Sequence, residues 1–459
     1  MLQQTKRLVA GVAAVGLAAV ALTACSPASS DSGSTPPADE NVTISVSGYP
    51  GSDKPDSRKI WDDRIALFEE ANPNITVEPT ETKWDPTTFS ALVAGGTLPT
   101  VIGVPFTNIR QLVSNGQVYD ISDLITGDDV LESLNPDVQS QAVFDDKTYG
   151  IVSAAYTLGL IYNRGLYEQA GLDPDAAPTT WDEVAENAQK ITEATGQTGF
   201  SIATTQNSGG WLLTGMSYGF GSRIQNEDGD TAEVDSKGPT SALEFLDEVR
   251  WDQNAAGSNF LMTQDDMRTA VAAGQVGQTV LGADVYNDLV GNRGMNGADL
   301  GISGLPQASK GLGTLGGGTI QVVSPKATAA EAAAAVEWIK FMFLRAFTDK
   351  DFAIETAKAR AAENQPVGAP LVPVVDEEQY QKYLSWIADY VDVDQDQFTQ
   401  YFDSLKELAI VPEPLTAAQE TYALLDAAVQ KVLTEQGTDI ASTLDEANTQ
   451  SQALIDQAQ

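Results

Sequence analysis

The chain has 459 residues, with 26 basic and 64 acidic side chains that give a formal net charge of -38 at pH 7, and it contains no histidine and one cysteine, Cys25. The lack of histidine excludes a Ser-His-Asp triad, an imidazole base and a histidine-ligated metal, so we expect no cofactor and no metal site. The negative charge disfavours nucleic acid and anionic lipid headgroups as partners, and a hydrophobic content of 42% is ample for one or two cores.

The first 25 residues have the organisation of a bacterial export signal. Lys6 and Arg7 precede an uncharged apolar run from residue 8 to residue 22, which is too short to span a bilayer as a helix. The run ends in Leu22-Thr23-Ala24-Cys25, which resembles the lipobox of bacterial lipoproteins, where the cysteine is lipidated and becomes the mature N-terminus. We therefore expect residues 1–24 to be a signal peptide and Cys25 to anchor the chain at the extracytoplasmic face of the cell membrane. The alternative is an ordinary signal peptide with an incidental cysteine.

The folded part of the chain is expected to begin near residue 41, after a tether. Residues 25–40 include no large apolar side chain, which is typical of a disordered linker. Apolar residues then alternate as in short strands at 42–46 and 75–77, with an amphipathic helix predicted between them at 60–71. A third apolar run at 101–104 follows another helical stretch. This order of elements indicates βαβ units and an α/β fold with a mostly parallel sheet flanked by helices.

The loops that follow the first three predicted strands carry the first candidate ligand residues. Ligands of such sheets bind beyond the carboxyl ends of the strands, and these loops contain Tyr49, Trp84, Phe106 and Asn108. Aromatic rings can stack on the C–H faces of a sugar while polar side chains bond to its hydroxyl groups. For Trp84 and Phe106, the alternative is that the ring only caps the core.

Motifs in the middle of the chain occur in a characteristic order. They are Tyr-Gly-Ile at 149–151, Leu-Gly-Leu-Ile-Tyr-Asn at 158–163, Tyr-Glu-Gln-Ala-Gly-Leu at 167–172 and Thr-Trp-Asp-Glu at 180–183. Together they resemble the central signature of the extracellular solute-binding proteins that serve carbohydrate importers. Thr180 and Glu183 form a capping box that starts a helix, and Trp181 begins the apolar stripe of that helix. We therefore expect Trp181 to pack in the core.

The resemblance extends over about residues 41–459. Residues 316–325 and the helix that begins at Thr328 resemble the strand and helix with which the family's chain returns to its first lobe. Two amphipathic helices predicted at 416–435 and 439–457 resemble the family's C-terminal end. The chain departs from the family in having few of the tryptophans that some maltodextrin-binding members carry in the cleft.

The family resemblance implies a two-lobed, periplasmic-binding-protein-like fold, in which strands that cross between the lobes form a hinge. Chain order assigns residues 41–155 and 315–365 to the first lobe, and residues 156–314 and 366–459 to the second. The implied function is to capture a sugar or oligosaccharide between the lobes and to deliver it to the permease subunits of an ABC importer. We expect a monomer that catalyses no reaction.

Further site residues are implied where local motifs fix their alignment with the family. They are Tyr156 before the Leu-Gly-Leu-Ile-Tyr-Asn strand, Gln206 and Trp211 in a second-lobe loop, Asp284 and Tyr286 in the loop that replaces the family's Gly-Pro-Trp, Gly317 and Thr319 in the return strand, and Trp386 near a late aromatic position. Trp211 has the alternative of packing at the start of a helix. The glycines at 316–318 have three open interpretations, as a hinge, as a point of close approach to the ligand, or as a surface loop.

Two other functions remain open from the sequence. The same fold could bind a cation such as a polyamine through Asp284, Asp85 or the acidic surface. A surface glycosidase would need a pair of carboxylates, and no pair stands out among the 64 acidic residues.

Overall fold

The computed structural model of the protein describes residues 41–458. The predicted signal peptide, Cys25 and the tether lie outside the described residues. The strands are β1 (Val42–Val46), β2 (Ile75–Pro79), β3 (Val101–Pro105), β4 (Val143–Phe144), β5 (Lys147–Thr148), β6 (Ile151–Asn163), β7 (Thr198–Phe200), β8 (Val276–Gly282), β9 (Leu300–Gly304), β10 (Thr314–Val323) and β11 (Ile410–Val411).

The α-helices lie between and after these strands in the chain. They are α1 (Pro55–Ala71), α2 (Phe89–Gly95), α3 (Phe106–Ser114), α4 (Ser122–Ile125), α5 (Asp129–Glu132), α6 (Pro136–Gln139), α7 (Arg164–Gln169), α8 (Trp181–Thr195), α9 (Ser208–Gly219), α10 (Lys237–Asp247), α11 (Gln264–Ala272), α12 (Ala329–Ile339), α13 (Arg345–Thr348), α14 (Lys350–Ala362), α15 (Glu377–Ile387), α16 (Thr399–Glu407), α17 (Ala418–Thr434) and α18 (Ile440–Ala458). Among residues 41–458, no helix is long and apolar enough to cross a membrane.

One sheet runs through the molecule in the order β2-β1-β3-β10-β6-β8-β7, with β11 beside β10 and β9 beside β6. The parallel pairing that we predicted occurs at both ends, where β1 pairs with β2 and β3, and β7 pairs with β8. In the middle, β10 is antiparallel to β3 and β6, and β6 is antiparallel to β8 and β9. The expectation of mostly parallel sheets therefore fails around β6 and β10, because one of these strands leaves the first lobe while the other returns to it.

The buried side chains form two main hydrophobic cores, and β6 and β10 contribute to both. On β6, Ile151 lies in the first core and Leu158 in the second. On β10, Leu315 lies in the second core and Ile320 in the first. Each long strand therefore passes from one core to the other within a few residues, which gives the molecule two lobes connected by extended backbone.

One segment packs differently from our lobe assignment. Val372 and Val374, which we assigned to the second lobe, are buried in the first core. An isolated bridge between Leu134 and Val375 holds this segment against the first lobe. The other lobe boundaries remain predictions.

The starts of α8 and α12 follow local sequence signals. The capping box of Thr180 and Glu183 starts α8, and Gly196 ends that helix in the left-handed conformation with φ +70°. The corresponding box of Thr328 and Glu331 starts α12. Trp181 is 3% exposed and its ring stacks on a neighbouring aromatic ring 5.1 Å away. Its predicted role in packing is confirmed.

Candidate ligand-binding site

The two crossing strands meet at Tyr156 and Gly317, which are register partners in the antiparallel pair of β6 and β10. Tyr156 is half-buried. A Cβ atom on residue 317 would lie 2.6 Å from the Tyr156 hydroxyl oxygen and 2.8 Å from Cζ. Glycine at position 317 therefore allows the tyrosine ring to lie across the neighbouring strand.

Trp211 lies beside this tyrosine, in the first turn of α9. The centroids of the Trp211 and Tyr156 rings are 6.4 Å apart, with an angle of 56° between the ring planes. The Trp211 Nε1–H donates a 2.8 Å hydrogen bond to Oε1 of Glu413, which follows β11. Because β11 pairs with β10, three distant parts of the chain contribute to one small region.

The turn that carries Trp211 is held by α17. Gln206 and Asn207 have positive φ angles of +59° and +66°, which bend the chain into the helix. The buried carboxylate of Asp426 accepts backbone hydrogen bonds from Asn207 and Gly210, both at 2.8 Å. A Cβ atom on residue 210 would lie 2.2 Å from the carbonyl oxygen of Tyr422, so α9 approaches α17 this closely only because residue 210 is glycine. Asp426 thus caps α9 from another helix.

The loop that carries Glu413 is fixed on both sides. Pro412 and Pro414 flank the glutamate and restrict its backbone. The carbonyl of Pro412 accepts a hydrogen bond from the Tyr218 hydroxyl at 3.1 Å, and Oε1 of Gln225 accepts one from the backbone N–H of Leu415 at 2.8 Å. The carboxylate therefore occupies a defined position.

Burial dominates the electrostatics of this region. It raises the pKa of the Tyr156 hydroxyl, and the nearby carboxylates of Glu413 and Asp284 raise it further. Burial also raises the pKa of the Glu413 carboxyl, against a smaller lowering by the hydrogen bond from Trp211. The Tyr422 hydroxyl is buried without a hydrogen-bond partner among the described residues, and its pKa is raised by burial and then by Glu413.

Glu413 also lines a groove of about 260 Å³ between the lobes. The first lobe contributes Phe106 and Arg110, and the second contributes Tyr218 and Arg223. The Arg110 guanidinium lies over the ring of Phe144 and that of Arg223 over the ring of Tyr218, and Arg223 also pairs with Glu227 at 3.1 Å. A larger cavity of about 690 Å³ beside α15 and α16 contains none of the predicted site residues.

The predicted first-lobe residues Tyr49 and Trp84 lie together in a separate cavity of about 450 Å³. The Tyr49 hydroxyl donates to Asp62 at 2.8 Å, and the Trp84 ring is half-buried with its centroid 5.0 Å from that of Phe89. Their proximity follows from neighbouring parallel strands that end at the same edge of the sheet.

Two predicted ligand residues have buried rings in this structure. Phe106 is 4% exposed, and its ring lies against Gly318. Tyr286 is 5% exposed and packs edge-to-face on Phe398 with ring centroids 5.6 Å apart. Packing explains the burial of both rings, whereas their loop positions had suggested ligand contact.

The remaining predicted residues differ in exposure and in location. Gln206 and Asp284 are exposed, and Asn108 and Thr319 are half-buried. The Lys382 ammonium nitrogen lies over the Trp386 ring, 5.5 Å from the ring centroid. Trp386 packs against a small hydrophobic cluster of α14 and α15. The structure thus groups Tyr156, Trp211, Gly317 and Asp284 with Glu413, and leaves Trp386 elsewhere.

Glu413 and Asp426 are not among the residues predicted from the sequence. The Pro-Glu-Pro run after a short apolar segment indicates a rigid loop, but no local signal connects it to a tryptophan 202 positions earlier. Asp426 lies in the middle of an amphipathic helix, where an acidic residue usually faces solvent.

The sequence of the chain is similar to those of known proteins. Residues 51–346 match the family of bacterial extracellular solute-binding proteins. A probable amino-acid ABC transporter periplasmic-binding protein of Sinorhizobium fredii is 29% identical over 169 residues, which are 36% of this chain and 38% of the relative. A binding protein of Brucella abortus is 24% identical over 225 residues, 48% of this chain and 54% of its own length, so the chain spans about half or less of these relatives.

Solved structures share the fold over nearly the whole chain. The sugar-binding protein MalE of Xanthomonas citri has a TM-score of 0.67 at 15% identity and covers 90% of this chain and 98% of its own. The cyclic alpha-maltosyl-1,6-maltose binding protein of Arthrobacter globiformis has a TM-score of 0.65 at 21% identity, with 90% and 99% covered. UgpB of Mycobacterium tuberculosis, solved with glycerophosphocholine, has a TM-score of 0.63 at 17% identity, with 90% and 98% covered. The predicted two-lobed α/β fold class is confirmed, and the chain belongs to the bacterial extracellular solute-binding protein family.

Proposed function

We propose that this protein is the receptor of an ABC importer that captures an uncharged sugar or oligosaccharide between its two lobes. The site is formed by Tyr156 and Gly317 on the crossing strands, Trp211 on α9, Glu413 after β11 and Asp284 after β8. The receptor then delivers its ligand to permease subunits in the membrane. Cytoplasmic ATPases drive the transport. The protein performs no chemical step itself.

The observation that carries this proposal is the group of Tyr156, Trp211 and Glu413. Two rings with centroids 6.4 Å apart provide apolar surface, and a carboxylate beside them provides a strong acceptor for hydroxyl groups. A sugar ring presents C–H faces and hydroxyl edges, so it matches this mixture of surfaces. The three residues are contributed by segments that converge on the crossing strands, where hinge closure would enclose a ligand.

Isothermal titration of the mature chain with maltotriose, xylotriose and spermidine tests the ligand class. We expect heat of binding with at least one saccharide and none with spermidine. Binding of spermidine alone would favour the cation-binding alternative, in which Asp284 and Glu413 hold the ammonium groups. Absence of binding to a broad saccharide panel would contradict the proposal.

The carboxylates of Glu413 and Asp284 also need to be tested for glycosidase chemistry, since both lie near Tyr156. We expect oligosaccharides to be recovered unchanged after prolonged incubation with the protein. Chromatographic detection of a released monosaccharide that is lost in Glu413→Gln would contradict the receptor function.

We further propose that a lipid on Cys25 anchors the protein at the extracytoplasmic face of the membrane, as a monomer. The Leu-Thr-Ala-Cys ending of the apolar run supports this. Labelling cells with radioactive palmitate should mark the wild-type chain and not Cys25→Ser, which should be released from the membrane fraction. Equal labelling of both chains would exclude Cys25 as the lipid site.

A further inference from the structure

Neither the family resemblance nor the sequence predictions identified Glu413 as a site residue. Its Oε1 accepts the indole N–H of Trp211 at 2.8 Å, and no other hydrogen bond to its carboxylate occurs among residues 41–458. The residue is half-buried and lines the groove between the lobes. One oxygen is therefore occupied by the protein, while the carboxylate retains acceptor capacity for a ligand.

Neighbouring residues hold the Glu413 carboxylate in a defined position in the groove. Prolines on both sides and hydrogen bonds at Pro412 and Leu415 hold the loop in place. The buried hydroxyl of Tyr422 lies within electrostatic range of Glu413 and has no partner among the described residues.

The charged side chains that act on the Tyr156 hydroxyl are carboxylates. Glu413 and Asp284 both lie close enough to act on its hydroxyl. Of the two arginines of the groove, Arg223 pairs with Glu227 and Arg110 lies over the ring of Phe144, and among residues 41–458 neither forms a salt bridge with Glu413. The net charge of -38 adds a long-range field of the same sign.

We infer that Glu413 is a ligand-binding carboxylate that accepts a hydroxyl group of an uncharged saccharide and selects against saccharides that carry an acidic group. This inference rests on the proposed function and specifies its ligand class. An acidic saccharide would place a second negative charge beside Glu413 in a partly desolvated groove, and like charges in such a position are strongly unfavourable.

Calorimetric titration of three chains with two ligands tests the inference. The ligands are xylotriose and a xylotriose substituted with one glucuronic acid, or maltotriose and its singly oxidised uronic acid analogue if the receptor binds maltotriose. The chains are the wild type, Glu413→Gln and Glu420→Gln. Glu420 is exposed in the first turn of α17, so its substitution makes the same charge change away from the groove.

We expect the wild type and Glu420→Gln to bind the neutral ligand at least about tenfold more tightly than the acidic one. Glu413→Gln retains an amide oxygen that can accept the Trp211 N–H, and it should narrow this ratio by about tenfold or more. An unchanged ratio in Glu413→Gln, or equal binding of both ligands by the wild type, would overturn the inference while leaving the sugar receptor intact. Failure of the wild type to bind any saccharide would instead overturn the proposed function and this inference with it.

A second measurement covers the case in which Glu413→Gln does not fold. Added salt screens charge repulsion, so the wild-type preference for the neutral ligand should decrease at high ionic strength, while binding of the neutral ligand stays nearly constant. A preference that does not change with salt would contradict selection by charge.

Discussion

At the scale of single residues, Trp211 combines two roles in the candidate site. Its ring lies beside Tyr156, and its indole N–H is bonded to Glu413. We expect Trp211→Ala to weaken saccharide binding by about 1 to 3 kcal/mol, because it removes both the stacking surface and the partner of the carboxylate. Trp211→Phe should lose less, because it keeps a ring. Calorimetric titration measures both.

Trp386 provides the contrasting variant. It lies in a separate cluster under Lys382, so Trp386→Ala should leave the affinity unchanged. An equal loss of affinity in the Trp386 and Trp211 variants would contradict the location of the site.

The raised pKa of the Glu413 carboxyl predicts a pH-dependent stability. As the pH rises above the usual value of 4.5, the unfolded state loses this proton before the folded state does. The free energy of unfolding of the wild type therefore decreases as the pH rises from 4.5 to the raised pKa. Glu413→Gln lacks this carboxyl group, so its free energy of unfolding does not decrease for this reason. We expect urea denaturation to show the variant gaining stability relative to the wild type as the pH rises through this window. A difference that is constant with pH would contradict the burial of the charge.

At the scale of elements, the start of α9 depends on a residue of α17. Asp426 accepts hydrogen bonds from the backbone of Asn207, one turn before Trp211, and of Gly210, which directly precedes Trp211. We expect Asp426→Ala to lower the free energy of unfolding by about 2 kcal/mol, because backbone donors bonded to a carboxylate lose their partner. Saccharide binding should weaken as well, since the turn that carries Trp211 is released. Denaturation and titration should both be unchanged in Asp445→Ala, an exposed position on α18.

The crossing strands contain two neighbouring glycines with different surroundings. A Cβ atom at residue 318 would lie 2.1 Å from the backbone oxygen of Ala154, whereas one at residue 317 would meet the outer part of the Tyr156 side chain. Gly318→Ala should therefore destabilise the fold by about 1 to 3 kcal/mol, because backbone must move. Gly317→Ala should lower the stability less than Gly318→Ala does. It should weaken saccharide binding more, because it displaces the Tyr156 ring of the candidate site. Thermal denaturation and titration separate the two, and the reverse order of effects would argue against the site.

At the scale of the whole molecule, two cores are joined by β6 and β10, with the candidate site at the junction. A ligand that contacts residues of both lobes stabilises the closed arrangement relative to the open one. We expect small-angle X-ray scattering to show a smaller radius of gyration when the protein is saturated with a bound saccharide. Identical scattering profiles at saturation would contradict hinge closure.

Local signals in the sequence predicted much of the architecture. The alternation at Val42–Val46, the capping box at Thr180 and the apolar stripe that begins at Trp181 are each visible within a short stretch of sequence. Phe106 and Tyr286 were harder to interpret, because an aromatic residue after a strand has the same sequence pattern whether its ring faces ligand or core. The antiparallel centre of the sheet could not be read from strand patterns alone, since alternation does not define the direction of a partner.

The sequence by itself determined the first strands, the starts of α8 and α12 and the family, because these depend on short-range patterns and on motifs in a fixed order. Only the tertiary structure decided which side chains share the site. Glu413 and Asp426 lie 202 and 216 positions from the residues that they hold, and β-pairing and helix packing bring them there. The physical reason is that burial and hydrogen-bond partners are properties of contacts between distant segments, which no local pattern encodes.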